Sequence, residues 1–200
     1  MNRLAVLAIL AIAPLPALAE PGTWSIDPAH TQSMFTVRHM MVSNVRGQFE
    51  KTSGTVALDE QDPSRSSVEA TIDVNSIDTR VPDRDKHLRS PDFFDAANYP
   101  TITFKSTRVE KAGEGKLKVS GNLTIRGVTK PVTLEVEGPT SPVKDPQGNA
   151  RRGITATTNI NRQDYGLKWN KLVEAGPVVG DEVKIEIEAE LVQPGQKNTN

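Results

Sequence analysis

Apolar and polar residues alternate with a period of two along most of the chain. The segment VEATIDV at 68–74 places valine, alanine and isoleucine on one face and glutamate, threonine and aspartate on the other. The segment EVKIEIEAELV at 182–192 continues the alternation with lysine and glutamate as its polar residues. Strict alternation is typical of antiparallel strands that have one face in water and one face buried. The pattern therefore predicts an all-β fold.

About eight segments carry this pattern, which is typical of a β-sandwich or a closed barrel. Gly47, Gly54 and Gly121 lie within long strands and favour the barrel, because glycine lets a sheet curl over on itself. The segment IRGVTKPV at 125–132 is predicted to be a tight hairpin between two of the strands. The predicted strands are 33–38, 46–58, 68–77, 101–109, 116–125, 132–138, 153–160 and 182–192.

The buried faces of these strands are mostly aliphatic, since the chain has only two Trp, two Tyr and five Phe. Ile72 and Leu123 lie in mid-strand on the apolar face, so they point into either a packed core or a hollow interior. An eight-stranded barrel is wide enough to enclose one small ligand. We therefore expect an all-β, eight-stranded antiparallel barrel with a smooth apolar interior.

The first nineteen residues have the features of a cleaved signal peptide. Arg3 precedes a short apolar stretch that two prolines interrupt and that ends in Ala17-Leu18-Ala19, an A-x-A cleavage site. A membrane anchor is the alternative, but it needs about 20 unbroken apolar residues. We expect export to a bacterial periplasm. The predicted division is a signal peptide at 1–19, a domain at 20–192 and a polar C-terminal tail at 193–200.

Charge and cysteine content exclude several classes of function. The formal net charge is −1, which provides no electrostatic footprint for nucleic acid and no polybasic patch for anionic lipid. The chain has no cysteine, so thiolate metal sites, iron–sulfur clusters and cysteine nucleophiles are excluded. No nucleic-acid partner is expected.

The two long connections, 78–100 and 161–177, are predicted to hold one or two short helices. In the first connection, Asp83 is predicted to cap a short helix and Ser90 a second one. In the second connection, LKWNKLVEA at 167–175 is predicted to be helical and to stop at a Gly-Pro pair. On this interpretation, most of the charges in RDKHLRSPDFFDAANYP at 84–100 serve the fold.

The same charges allow a sharper interpretation, in which Asp85 and His87 form an acid–base pair. Residues two apart on a helix point about 200° away from each other, so these two cannot form a dyad directly. His87 can pair with Asp83 at i−4, which is an ordinary surface arrangement. No nucleophile motif such as Gly-x-Ser-x-Gly accompanies them. A structural or ligand-gating role is favoured over catalysis.

The remaining histidines have no metal-ligand spacing. His39, Met40 and Met41 are soft ligands of the kind that bind copper or haem. However, His30 and His39 are nine residues apart, and no HxH, HxxxH or Met-rich repeat accompanies them. No metal and no cofactor is predicted.

Four segments, in order and separated by strands, resemble the YceI-like family of exported bacterial proteins. The resemblance covers roughly residues 23–192 and implies a lipocalin-like barrel, often dimeric, that holds a polyisoprenoid or similar long-chain lipid in an internal tunnel. The family has no agreed catalytic residues, so none is carried over. The segments are WSIDPAHTQSMFTVRHMMVSNVRGQFEKTSGTVALD, SIDTRVPDRDKHLRSPDFFDAANYPTITF, GNLTIRGVTKPVTLEV and NRQDYGLKWN.

We therefore expect a periplasmic carrier of a long-chain isoprenoid or fatty lipid that has no catalytic activity and forms a homodimer. Two alternatives stay open: an enzyme that acts on a lipid in the same cavity, and a stress-linked or adhesion protein with a solid core. The predicted ligand-binding residues are Phe35, Val37, Phe49, Ile72, Val74, Phe104, Leu123, Leu134 and Trp169. The predicted gate or head-group residues are Arg38, Arg84, Asp85 and His87.

Overall fold

Fourteen β-strands and one α-helix dominate the structure, a computed structural model that describes residues 21–174 and 176–195. The strands are β1 (Gly22–Ile26), β2 (Gln32–His39), β3 (Ser43–Phe49), β4 (Thr52–Leu58), β5 (Ser67–Asp73), β6 (Ile77–Asp78), β7 (Thr101–Gly113), β8 (Lys116–Ile125), β9 (Val128–Glu137), β10 (Val143–Lys144), β11 (Ala150–Asn161), β12 (Leu172–Val173), β13 (Gly176–Pro177) and β14 (Val179–Gln193). The helices are α1 (Pro82–Arg89) and the short 3-10 helices Pro28–His30, Pro63–Arg65, Val74–Ser76 and Arg162–Tyr165.

Eight long extended segments of the chain form the wall of a closed barrel, and we call each of them a stave; a stave is either one strand or two consecutive strands. Strands β1 and β2 form one stave, which the 3-10 helix Pro28–His30 interrupts. Strands β3 and β4 form a second, with a break at residues 50–51, and β5 and β6 form a third, which the 3-10 helix Val74–Ser76 interrupts. The other five staves are the single strands β7, β8, β9, β11 and β14. Each stave pairs antiparallel with the next one along the chain, and β14 pairs with β1 and β2 to close the ring. The predicted eight-stranded antiparallel barrel is confirmed.

The connections between staves collect at two ends of the barrel, because consecutive staves run in opposite directions. We call these the helix end and the Trp24 end. The helix end carries α1, the turns at 40–42 and 126–127 and the connections 79–100 and 162–178. The Trp24 end carries the start of β1, the turn at 114–115 and the connections 59–66 and 138–149.

The alternation of apolar and polar residues decides which side chains face the interior. On β8, Leu123 and Ile125 are buried, while Lys116 lies outside with its Nζ 3.0 Å from a Glu137 carboxylate oxygen on β9. Such exposed ion pairs add only about 0–1 kcal/mol each. Removal of the aliphatic inner face from water, at about 25 cal/mol per Å² of apolar surface, is the main stabilising contribution.

The predicted hairpin at 125–132 is confirmed by the turn between β8 and β9. Arg126 and Gly127 occupy its two central positions with φ of 49° and 72°. Two consecutive left-handed residues give a type I′ turn, whose twist matches that of the flanking strands. Glycine has a different function at Gly121, where an added Cβ would lie 2.5 Å from Phe104 Cζ. This glycine lets the Phe104 ring of β7 lie directly against β8.

The predicted helix caps in the first connection are wrong. Helix α1 begins at Pro82, and the residue at its N-cap position, Val81, makes no capping side-chain hydrogen bond, so Asp83 is not a cap. Ser90 closes α1 instead of starting a second helix, since its hydroxyl donates to the carbonyl oxygen of His87 at 2.7 Å. The chain then turns back, with the backbone N–H of Phe94 bonded to the carbonyl of Leu88.

The helix predicted at 167–175 is also wrong over residues 167–174, because Leu172 and Val173 form β12, which pairs with β13. Position 175 lies outside the described residues. The carbonyl oxygens of Leu167 and Trp169 accept hydrogen bonds from the guanidinium of Arg162, which removes acceptors that a helix would use internally. The side-chain amide of Asn170 bonds both the N–H and the carbonyl oxygen of Val179, at 3.1 and 2.8 Å. These contacts fasten the segment to the start of β14.

Candidate binding cavity

The barrel encloses a cavity of about 240 Å³, lined by inward-facing residues from all eight staves. On β8 the lining runs from Leu117 to Ile125, a distance of about 26 Å along the strand at about 3.3 Å per residue. The lining is almost entirely aliphatic and aromatic. A cavity that is long, narrow and apolar fits a flexible hydrocarbon chain better than a compact polar molecule.

Arg162 is the only charged residue among the described residues that line the cavity, and it is 4% exposed. A guanidinium has five N–H groups, and here all five donate to protein oxygens at 2.5–3.2 Å. Burial lowers the pKa of this guanidinium, and the nearby carboxylate of Asp181 opposes that shift. Arg162 therefore holds the connection in place and has no donor left for a ligand. Its partners are the carbonyl oxygens of Gly180, Leu167, Trp169 and Val179 and the carboxylate of Asp181.

Aromatic rings cover the cavity at the helix end. Phe93 and Phe94 line the cavity directly, and Phe93 is 6% exposed. The rings of His87 and Trp169 pack against Phe93 from outside, with ring centroids 5.0 and 5.2 Å from its own. Tyr165, also a lining residue, is 2% exposed, and burial raises the pKa of its hydroxyl to about 12. The phenol is therefore neutral at physiological pH.

Trp24 and Arg152 cover the opposite end. Trp24 packs against Ile26, Leu58 and Leu191, three residues that line the cavity. The Arg152 guanidinium carbon lies 5.1 Å from the centre of a Trp24 ring, and Arg152 Nη2 donates to the carboxylate of Glu60. Neither Trp24 nor Arg152 lines the cavity, so the pair forms a cover below its apolar end.

Seven of the nine predicted ligand-binding residues line the cavity, and contact with a ligand stays a prediction for them. Val74 does not line it, because the 3-10 helix Val74–Ser76 breaks the strand alternation and places Val74 in the core at 2% exposure. Trp169 does not line it either, since Phe93 stands between its ring and the interior. The lining residues are Phe35, Val37, Phe49, Ile72, Phe104, Leu123 and Leu134.

Two of the predicted gate residues bind the backbone of their own connection. Asp85 is 7% exposed, and its Oδ1 accepts from the N–H of Thr79 at 2.9 Å and from the Thr79 hydroxyl at 2.5 Å. Arg84 donates from Nε to the same hydroxyl and from Nη2 to the Thr79 carbonyl oxygen, at 2.7 and 2.8 Å. Both residues stand outside the cavity lining and stabilise the chain that leads into α1.

The other two gate candidates also lie away from the lining. His87 Nε2 is 2.9 Å from a carboxylate oxygen of Asp92, so Asp92 replaces Asp83 as the partner considered above. Arg38 is exposed and donates from Nη2 to the carbonyl oxygen of Met41 at 2.9 Å. None of the four gate candidates is among the residues that line the cavity.

Several buried polar residues of the barrel were not predicted. Arg152, Thr31, Ser33 and Thr52 are all buried. The sequence contains a signal for the burial of two of them, because Thr31 and Ser33 are at alternate positions in phase with the inward-facing Phe35 on the same stave. Strand alternation assigns the whole odd-numbered set to one face, including its polar members.

Within the described ranges, no three His, Cys, Asp or Glu residues are grouped so that they could hold a metal ion. No helix among these residues is long and apolar enough to cross a membrane. The predicted signal peptide at 1–19 lies outside the described residues, as do positions 196–200 of the predicted tail.

Comparisons with known proteins identify similar chains. The family model described as "YceI-like domain" matches residues 24–191. A UPF0312 protein of Vibrio parahaemolyticus is 37% identical over 185 residues, which is 92% of this chain and 93% of that protein. The crystal structure of BcnA from Burkholderia cenocepacia has a TM-score of 0.71 at 27% identity and covers 84% of this chain and 99% of its own.

A second solved structure shares the fold at lower identity. It is a polyisoprenoid-binding domain from Saccharophagus degradans, with a TM-score of 0.63 at 19% identity. The match covers 86% of this chain and 98% of that domain.

Proposed function

Because this chain belongs to the YceI-like family, we propose that it is a carrier that encloses a long-chain apolar lipid in its barrel. The observation that carries the proposal is the cavity, which is lined by residues of all eight staves and is almost wholly apolar. Enclosing a hydrocarbon chain there removes it from water at about 0.8 kcal/mol per buried CH₂ group. Such a site selects a ligand by the length and shape of its hydrocarbon chain.

The chemical class that we propose is a polyisoprenoid or a fatty lipid. The barrel of the Saccharophagus degradans polyisoprenoid-binding domain has the same fold, which supports the class. The lining supports it as well, because Arg162, its one charged residue in the described part of the chain, has every N–H group occupied by protein oxygens. The interior therefore suits the hydrocarbon part of the lipid.

Binding without chemical conversion is part of the proposal. The residues considered for acid–base chemistry, Asp85 and His87, stand outside the lining, and Oδ1 of Asp85 accepts two hydrogen bonds from Thr79. A group that cannot reach the proton it would transfer cannot act as a general acid or base. This arrangement favours the carrier over a lipid-modifying enzyme.

Organic extraction of freshly purified protein, followed by mass spectrometry, tests the proposal. We expect one class of long-chain apolar lipid at close to one molecule per cavity. Ligand that binds only the folded state raises the melting temperature, so adding the extracted lipid to stripped protein should raise it again. An empty extract, with no melting shift on adding polyisoprenoid or fatty lipid, would contradict the carrier proposal.

The His87→Ala variant separates the carrier from the enzyme. A carrier returns an added lipid chemically unchanged from both the wild type and this variant. Conversion of the lipid by the wild type that stops in His87→Ala, at an unchanged melting temperature, would establish the enzyme instead.

Export to the periplasm and a homodimer are further parts of the proposal. The A-x-A site at 17–19 supports export. We expect osmotic shock to release a protein whose intact mass begins at Glu20, whereas a membrane-bound chain that retains residues 1–19 would contradict export. Light scattering of the purified protein measures the oligomeric state.

A further inference from the structure

A second pocket, of about 330 Å³, lies on the outer wall of the barrel, where outward-facing residues of β2, β3 and β14 meet the chain at 78–80. We call it the Arg46 pocket. Its cations are Arg46, Arg80 and Lys184, and its carboxylates are Asp78 and Glu186. Three cations against two carboxylates give the pocket a formal net charge of about +1 by that count.

The two arginines occupy facing positions. Strand β3 pairs with β6 so that Gln48 lies opposite Asp78. Continuing this antiparallel register by two residues puts Arg80 opposite Arg46, and both arginines line the pocket. Like charges directly opposite each other destabilise a pair of strands. This arrangement therefore costs free energy unless an anion lies between the two cations.

Other cations on the outer wall face carboxylates. Lys116 of β8 lies opposite Glu137 of β9, with Nζ 3.0 Å from a carboxylate oxygen. Lys105 of β7 lies opposite Glu69 of β5, and their ion pair measures 2.6 Å. The facing arginines of the Arg46 pocket depart from this pattern of opposite charges.

The two guanidiniums have no partner within the described part of the chain, neither a hydrogen bond nor an ion pair. The carboxylates of the same pocket bind other groups: Glu186 lies 2.9 Å from Lys184 Nζ, and Asp78 Oδ1 accepts from the backbone N–H of Arg80 at 2.7 Å. Arg46 and Arg80 are both exposed, so a ligand can reach them. The planar fork of N–H donors in a guanidinium matches the oxygens of a carboxylate or a phosphate.

The Arg46 pocket adjoins the apolar cavity. Met34 and Phe35 line both. A Cβ added at Gly47 would clash with the Phe35 ring and the Thr79 methyl group, so these two groups fill the space beside Gly47. Among the described residues, positions 43–47 of β3 pair only with β2, because β6 is too short to reach them. The Phe35 ring therefore separates the pocket from the cavity where β3 has a free edge.

From these observations we infer that the Arg46 pocket binds an oxyanion, a carboxylate or a phosphate group, through the guanidiniums of Arg46 and Arg80. A lipid head group and a free anion share this chemistry. A head group would place the anion next to Phe35 and the hydrocarbon chain in the cavity, and this source rests on the proposed function. A free anion is independent of that function.

Two probes of equal chain length, hexadecanoate and methyl hexadecanoate, test the lipid source. Their dissociation constants are measured by competition against a lipophilic fluorescent probe in lipid-stripped protein at low salt and at about pH 8, where a carboxylate is ionised. If the anion is a head group, the wild type should prefer the carboxylate by about tenfold. In the double variant Arg46→Gln/Arg80→Gln that preference should fall to about onefold, with binding of the methyl ester unchanged.

Inorganic phosphate tests the free-anion source. The melting temperature of stripped wild type is measured in phosphate and in chloride at equal ionic strength. A ligand of the folded state raises the melting temperature, so a free-anion site gives a higher value in phosphate than in chloride. This gain should vanish in the double variant.

The matched control is Arg108→Gln. Arg108 is an exposed arginine that pairs with Glu110 at 2.8 Å and is not among the residues that line the pocket. This variant should keep the wild-type carboxylate preference and the wild-type phosphate gain. The double variant without ligand should melt at the wild-type temperature or above it, since it removes two facing like charges.

The outcomes separate this inference from the proposed function. If neither long-chain probe binds the wild type but a phosphate gain depends on the two arginines, the carrier proposal fails and the anion site stands. If both probes bind equally well and phosphate gives no gain, the carrier stands and the anion site is overturned. A carboxylate preference or phosphate gain that persists in the double variant would also overturn it.

Discussion

Two buried arginines cover the two ends of the same barrel in different ways. Arg162, directly after β11, gives all five N–H groups to protein oxygens: two backbone carbonyls of the connection 162–178, two at the start of β14 and the carboxylate of Asp181. Arg152, near the start of β11, pairs with Glu60, stacks on Trp24 and leaves Nε without a partner. The Glu60 side chain is 64% exposed. The cover of the helix end is therefore built around a saturated hydrogen-bond network, and the cover of the Trp24 end around a ring and a stacked cation.

This difference shows how the connections at the ends of a barrel can be held in place even though the barrel interior is apolar. A long connection has many backbone groups that need partners once they are buried. At the helix end, Arg162 and Asp85 supply those partners from the protein itself. At the Trp24 end the cover consists of a ring and a stacked cation, which close the cavity without organising a long loop.

The largest expected effect comes from removing the saturated arginine. Arg162→Met leaves four carbonyls and the Asp181 carboxylate without their donor, and should lower the free energy of unfolding by about 3–5 kcal/mol. Arg152→Met is the matched variant at the other end and should cost about 1 kcal/mol, since it loses a stacking contact and one exposed pair. Urea unfolding measures both. Equal costs would contradict the comparison.

A smaller effect is expected at the start of α1. Asp85→Ala leaves the buried N–H and hydroxyl of Thr79 without their acceptor, at a cost of about 2–3 kcal/mol. Asp83→Ala, two residues away, removes an exposed carboxylate that caps nothing and should cost a few tenths of a kcal/mol. Thermal unfolding distinguishes the two. A larger loss in Asp83→Ala than in Asp85→Ala would restore the sequence-based cap at Asp83.

The smallest effect concerns acid stability at the Trp24 end. Arg151 donates to Asp145 and Asp27 at 2.8 and 2.7 Å, and these bonds lower the pKa of each carboxyl from 3.8 to about 2. A lowered folded-state pKa gives stability that is complete above the unfolded pKa and is lost as pH falls towards 2. In Arg151→Met the loss of stability between pH 5 and pH 2 should be smaller, by about 1 kcal/mol for Asp27.

The control for this pH dependence is Arg108→Met. Arg108 lies in an exposed pair with Glu110, and its side chain is 70% exposed. Its removal should leave the slope of stability against pH between 5 and 2 unchanged. An identical slope in wild type and Arg151→Met would show that the Arg151 bonds do not hold the two carboxyl pKa values down.

The barrel could be predicted from the sequence because the alternation of apolar and polar residues that marks each strand is a local pattern. Period-two alternation fixes both the strands and the inward face, and it placed Phe35, Ile72 and Leu123 on the cavity wall correctly. The same rule also places Thr31 inside, although the residue is polar. Val74 was misplaced because a 3-10 helix interrupts the alternation, and no local pattern signals that break.

The helix end was not predictable for a physical reason. The segment 167–175 has the composition of a helix, yet Arg162 and Asn170 bind its carbonyls and the start of β14. These partners are set by the barrel and not by local propensity, and tertiary contacts override a weak local preference. The same applies to Asp85, whose acceptor role depends on where Thr79 lies.

The measurement that tests the central claim most directly is whether the interior is hollow. Leu123→Trp places an indole in the cavity, and Asn122→Trp places the same ring outside on the neighbouring position of β8. We expect Leu123→Trp to change stripped-protein stability by less than about 1 kcal/mol, to purify without lipid and to show no melting shift on adding lipid. Asn122→Trp should bind lipid like the wild type. A loss of about 1–3 kcal/mol in Leu123→Trp, as a packed core requires, with no lipid in the wild-type extract, would contradict the account.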